Sequence, residues 1–149
     1  MGLLEGKKAL IFGVANNKSI AYGIAKKFKE EGCELAFSYA GEKLEKRVLP
    51  IAEELGGKLC VPCDVTDDTD IEKAFETIEK EFGKFDILIH SVAFAPQEAL
   101  KDRFIETSRD AFTMALEISS YSLVALSRAA EPLLNDGGSI ICLTYYGSE

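Results

Sequence analysis

A chain of 149 residues that is 47% hydrophobic and 28% charged has the size and balance of one globular domain with a real core. Its net charge of −8 repels phosphate backbones and anionic lipid surfaces, which disfavours nucleic-acid and membrane binding. The apolar run after Lys7 and Lys8 covers only residues 9–12, too short for a signal peptide or a spanning helix, so a cytoplasmic location is expected.

The first element predicted is a compact strand over residues 8–13. It runs into a small-residue loop ending at Ser19, and then into a helix. Free N–H groups at a helix start, reinforced by the helix dipole, form an anion site, so the chain opens on a nucleotide-binding strand-helix unit. The glycines here, Gly13 and Gly23, do not reproduce the G-x-G-x-x-G spacing. Ile20, Ile24 and Phe28, with Ala21 and Ala25, form the apolar stripe of the first helix, and Gly32 ends it.

A second strand is predicted at 34–39, and a helix at 42–55 with Leu44, Val48, Ile51 and Leu55 inward, kinked by Pro50 and ended by Gly56 and Gly57. The third strand, 58–63, contains Cys60-Val61-Pro62-Cys63. Residues three apart on a strand point to opposite faces, so these sulfurs do not converge, no second ligand pair exists, and no metal is expected. Cys33, Cys60, Cys63 and Cys142 read as free thiols.

Asp67 looks like the N-cap of a third helix carrying Ile71, Phe75 and Ile78 and closing at Gly83. A fourth strand follows at 86–91. The longest helix is predicted over 108–131, with Phe112, Leu116, Leu123 and Leu126 as its stripe and Pro132 as its stop; its alanines and serines suit close packing within one subunit or against another. A fifth strand is expected at 138–144.

This alternation predicts an α/β fold, a doubly wound parallel sheet of Rossmann type. Ligands then bind at the carboxyl ends of the strands, which present residues 13–19, 38–40, 64–65, 91–96 and 144–147 to one cleft. His90, the single histidine, is expected in a hydrogen-bonded packing role. Tyr22, Tyr39 and Tyr146 read as packing residues.

Four segments carry a resemblance across essentially the whole chain: Gly13 to Ala25, Cys63-Asp64-Val65, His90 to Pro96, and Leu143 to Gly147. The chain resembles the short-chain dehydrogenase/reductase superfamily and, within it, the bacterial enoyl-acyl-carrier-protein reductases of fatty-acid synthesis. Ketoreductase members look like Asn-Asn-Ala-Gly after the fourth strand and carry a serine beyond the fifth, where this chain has Ser91-Val92-Ala93-Phe94 and Tyr145.

The resemblance implies reduction of a trans-2-enoyl thioester bound to acyl-carrier protein. It implies NADH as hydride source, NADPH being less favoured because no arginine stands directly after the second strand. It also implies a homo-oligomer, a tetramer in the complete protein. Tyr145 is the implied catalytic group, donating to the thioester carbonyl oxygen. Gly13, Ser19 and Ile20 are implied around the pyrophosphate, Asp64 and Val65 at the adenine, Ser91 and Val92 along the ribose and nicotinamide, Ala15, Ala40 and Ala93 as further cofactor-binding residues, and Ala95 at the substrate. Another reductase of the superfamily, such as a 3-ketoacyl reductase, and a non-catalytic dinucleotide-binding module are the alternatives. The family's Tyr-x6-Lys pair, its last strands and its substrate-binding helices have no counterpart before Glu149. Residues 1–149 are therefore expected to be the dinucleotide-binding domain of a longer chain.

Overall fold

The computed structural model describes residues 2–147. Strands β1 (Lys8–Phe12), β2 (Glu34–Tyr39), β3 (Leu59–Pro62), β4 (Phe85–His90) and β5 (Leu134–Cys142) form one sheet in the order β3-β2-β1-β4-β5. Every pairing is parallel. The order reverses between β1 and β4, and that reversal opens a crevice at the carboxyl ends of the strands. This is the doubly wound, Rossmann-like α/β fold that the alternating periodicity predicts.

Strands buried on both faces read as continuous apolar runs, and β1 shows why. Its Leu10 and Phe12 join a cluster with α3 (Asp68–Glu81) and α6 (Ser122–Ala130), while Ala9 and Ile11 face α1 (Ile20–Glu30) and α2 (Glu42–Glu54). The Phe12 and Phe75 rings stack with centroids 6.2 Å apart, fixing α3 to the first of these faces. Cys60 and Cys63 separate as a strand requires: Cys63 is buried in the α3 cluster and Cys60 packs against the opposite one.

The helix boundaries follow their caps. The Asp67 carboxylate accepts from the N–H groups of Thr69 and Asp70 at 2.9 and 3.3 Å and starts α3. Gly32, at φ +86°, lets the chain leave α1 while the Cys33 N–H returns to the Phe28 carbonyl at 2.9 Å. Pro50 is accommodated inside α2, which continues to Glu54.

At the opposite end of the sheet, Asp86 ties three strands together. Its carboxylate accepts from the Lys8 N–H at 2.9 Å, the Asn135 amide at 3.2 Å and the Lys7 ammonium at 3.3 Å. Burial pushes this carboxyl up, but the three donors outweigh it and hold it below the usual carboxylate range.

The sequence reading needs correction in the last third of the chain. The predicted helix over 108–131 is α5 (Arg109–Leu116), a π-helical turn (Glu117–Tyr121) and α6, closed by a 3₁₀ turn (Glu131–Leu133) that contains Pro132. Its sheet-facing stripe is mostly of small residues, with Ser122, Ala125 and Ala130 buried beside Leu126, whereas Phe112 and Leu116 are 58% and 51% exposed. Close approach to the sheet selects for small side chains, so Ser122, Ala125 and Ala130 pack within the subunit. Ile20, assigned to the α1 stripe, is 67% exposed. β5 begins at Leu134 rather than 138, and the short α4 (Gln97–Lys101) has no periodicity long enough to be predicted.

Candidate functional site

A cleft of about 340 Å³ lies over the carboxyl ends of β1 to β4. Its floor is Phe12 and Gly13 from the β1 exit, where φ at Gly13 is +108°. A Cβ added at Gly13 would overlap the Ser91 carbonyl, and the Ser91 N–H donates to the Phe12 carbonyl at 3.0 Å. Glycine is therefore demanded twice, by backbone conformation and by the approach of the β4 exit loop.

The loop between β1 and α1 is organised from within. Ser19 Oγ accepts from the N–H groups of Ala15 and Asn16, both at 3.0 Å, and Asn16 Oδ1 accepts from the Lys18 N–H at 2.8 Å. Its hydroxyl turned back on this loop, Ser19 forms no side-chain cap on α1. The first turn of α1 thus keeps its N–H groups clear of any capping side chain, and a helix end in that state favours an anion.

Asp64, at the β3 exit, accepts on Oδ1 from both the N–H and the hydroxyl of Thr66, at 2.9 and 2.7 Å. Its own N–H donates to Asp70 at 2.6 Å. Oδ2 has no partner among the described residues. Val65 and Cys63 flank it in the cleft wall. Burial first, then the Asp70 and Asp64 charges, pushes the Cys63 thiol up to about 12, so it lines the cleft as an unreactive group.

On the wall at the β2 exit, Ala40 and Leu44 stand beside Tyr39, whose hydroxyl donates to Glu45 at 3.0 Å. Burial, reinforced by that carboxylate, pushes the Tyr39 phenol up to about 12. The opposite wall is Ser91, Val92, Ala93 and Phe94 from the β4 exit, with Ile118 from the π turn. Below it His90, 3% exposed, hydrogen-bonds through Nε2 to Ser122 Oγ at 2.7 Å, in the packing role read from the sequence.

The cleft thus brings together Gly13, Ala15, Ala40, Asp64, Val65, Ser91, Val92 and Ala93. Ser19 and Ile20 stand outside its lining, at the adjacent helix start. Ala95 lies one residue beyond the wall. Tyr145 is 92% exposed on the segment after β5, and residues 144–147 do not line the cleft with the other four strand ends. Tyr39 and Phe94 fall within strand-end segments the sequence assigned to the cleft, whereas Leu44 and Ile118 are cleft residues that the sequence reading did not place there. Leu44 was read only as part of a helix stripe, and nothing in local periodicity marks Ile118, which arrives from a helix remote in sequence.

Residues 13–149 match the family model described as enoyl-(acyl carrier protein) reductase, which covers nearly all of the chain, the cleft included. The chain belongs to this family. The NADH enoyl-[acyl-carrier-protein] reductase of Aquifex aeolicus is 54% identical over 150 residues, covering 100% of this chain and 56% of that protein. The enoyl-acyl-carrier-protein reductase of Anaplasma phagocytophilum, solved in complex with NAD, superposes with a TM-score of 0.92 at 47% identity, covering 100% of this chain and 58% of its own. The Bacillus cereus enoyl-acyl carrier protein reductase, solved with NADP+ and an indole naphthyridinone, gives 0.93 at 46% identity, covering 99% and 58%. The chain therefore spans a little over half the length of these reductases.

Proposed function

We propose that residues 1–149 form the dinucleotide-binding domain of an NADH-dependent reductase of trans-2-enoyl thioesters carried by acyl-carrier protein. The observation that carries this reading is the cleft at the β1/β4 reversal in a chain of this family: open helix N–H groups on one side and an unpartnered carboxylate oxygen on the other. That pairing suits an anionic pyrophosphate and an adenine amino group.

In this reading the N–H of Ile20 meets the pyrophosphate, and Ser19 holds the loop that leads to it. Gly13 and Ala15 keep the neighbouring wall free of bulk. Ala40, Asp64 and Val65 take the adenosine end, with Asp64 Oδ2 accepting from the adenine amino group. Ser91, Val92 and Ala93 flank the ribose and nicotinamide, and Ala95 touches the acyl substrate. Bound there, NADH supplies a hydride to the β-carbon of the enoyl thioester. Tyr145 donates its hydroxyl to the thioester carbonyl oxygen, where negative charge develops, once the segment after β5 is drawn over the cleft.

Preference for NADH over NADPH rests on the β2 exit. The Glu45 carboxylate, bonded to Tyr39 beside Ala40, supplies negative charge where a 2′-phosphate would lie. A cytoplasmic homo-oligomer completes the reading. It is supported by the exposed apolar side of the long helix, Phe112, Leu116, Tyr121 and Val124, and by the finding that no helix among the described residues is long and apolar enough to cross a membrane.

The test is NADH oxidation by the protein carrying this sequence, followed by absorbance with a trans-2-enoyl thioester and with a 3-ketoacyl thioester. Consumption with the enoyl thioester alone is the expected result. Turnover with the 3-ketoacyl thioester instead would place the chain with the ketoreductases.

A further inference from the structure

The long helix over the β4 exit is regular except at the π turn, Glu117–Tyr121. Such turns cost hydrogen-bond geometry and recur at functional sites. Here the turn carries Ser119, with Ser122 three residues on at its exit, and the two bond to opposite ends of the β4 exit loop.

Ser122 Oγ donates to the Ile118 carbonyl at 2.6 Å, a back-bond to a carbonyl within the distorted turn. Its single hydrogen is then committed, so the neutral His90 must donate its Nε2 proton to Ser122 Oγ. Ser119 bonds to the backbone of one residue in both directions: the Phe94 N–H donates to Ser119 Oγ at 3.0 Å, and the Ser119 hydroxyl donates to the Phe94 carbonyl at 3.1 Å. Among the described residues Phe94 makes no other backbone hydrogen bond, and it is 49% exposed, so this clamp is what holds that stretch of backbone. Phe94 and Ala93 are cleft wall, and Ile118 joins them from the turn itself.

We infer that Ser119 is a positioning residue: the π turn delivers its hydroxyl to the Phe94 backbone and thereby sets the wall against which cofactor and acyl chain lie. The inference rests on the reading of the cleft given above. Ser119 touches neither ligand in this account; it acts through the 93–95 backbone.

The test compares the full chain with Ser119→Ala, Ser119→Thr and the neighbouring control Ser120→Ala, reading hydrogen exchange at the Phe94 amide and NADH affinity by cofactor fluorescence. In the parent protein and in Ser119→Thr and Ser120→Ala the Phe94 amide is protected and NADH binds equally. Ser119→Ala releases the amide and weakens NADH about fivefold to tenfold, the loss expected for two neutral hydrogen bonds acting at a distance. Unchanged Phe94 exchange in Ser119→Ala, or released exchange with unchanged NADH affinity, would overturn the inference. A Ser119→Thr variant as weak as Ser119→Ala would also overturn it, since the hydroxyl would then be irrelevant. A parent chain that does not bind NADH at all would instead defeat the dinucleotide reading, and exchange alone would decide whether the clamp exists.

Discussion

At the residue scale, two residues tie stability to the site. Gly13 combines positive φ with contact against the Ser91 carbonyl, so neither a rotamer change nor a small loop shift relieves a methyl group there. Gly13→Ala is expected to cost about 2 kcal/mol or more, read as a lower melting temperature, before any effect on ligand binding is considered. Melting at the parent temperature would mean that the β1 and β4 exits separate easily. His90 gives a pH signature. Burial lowers its imidazole pKa, so the unfolded chain takes up a proton that the folded one refuses. Its contribution is complete above about pH 6.5 and is lost as the pH falls below that value. Melting curves should therefore show stability declining from pH 7 to pH 5, with a flatter decline in His90→Gln; parallel declines would contradict the burial argument. Both residues were legible in the sequence as glycine at a turn and histidine at a strand end. The approach of Ser91 to Gly13 and the bond from His90 to Ser122 were not, because contacts between distant elements leave no mark in local spacing.

At the element scale, strands and caps were the legible part. Parallel strands buried on both faces write themselves as apolar runs, and the Asp67 cap and the Gly32 exit are chemical requirements of helix ends. The long helix was legible in extent but only partly in phase. Of the stripe read from the sequence Leu126 is buried, but Phe112 and Leu116 lie outside, and proximity to the sheet buries Ser122 and Ala125 instead. The π turn is equally silent in sequence, since its geometry answers to the serine contacts with β4 rather than to propensity. Strand placement makes a direct prediction for the thiols. Burial, with nearby carboxylates, pushes Cys33 and Cys60 up to about 11 and Cys63 to about 12, whereas Cys142 is exposed on β5. Thiol labelling of the 149-residue chain at pH 8 should modify Cys142 rapidly and the other three only on unfolding. Fast labelling of Cys63 would show that the cleft wall at the β3 exit is open to solvent.

At the scale of the whole molecule, strand order decides where a ligand can bind. The reversal between β1 and β4 gathers the exits of four strands into one cleft, and eight of the residues named from the sequence meet there although they span positions 13 to 93. Tyr145 follows the fifth strand and stays outside, so the acid-donating half of the proposed chemistry depends on how the segment after β5 is held. The most direct test is an amide chemical-shift map of the chain titrated with NADH. Saturable shifts concentrated at Gly13, Ile20, Asp64 and Ser91 are predicted. The absence of saturable shifts, or shifts confined to the groove beside Phe112 and Tyr121, would contradict a dinucleotide site at the strand-order reversal.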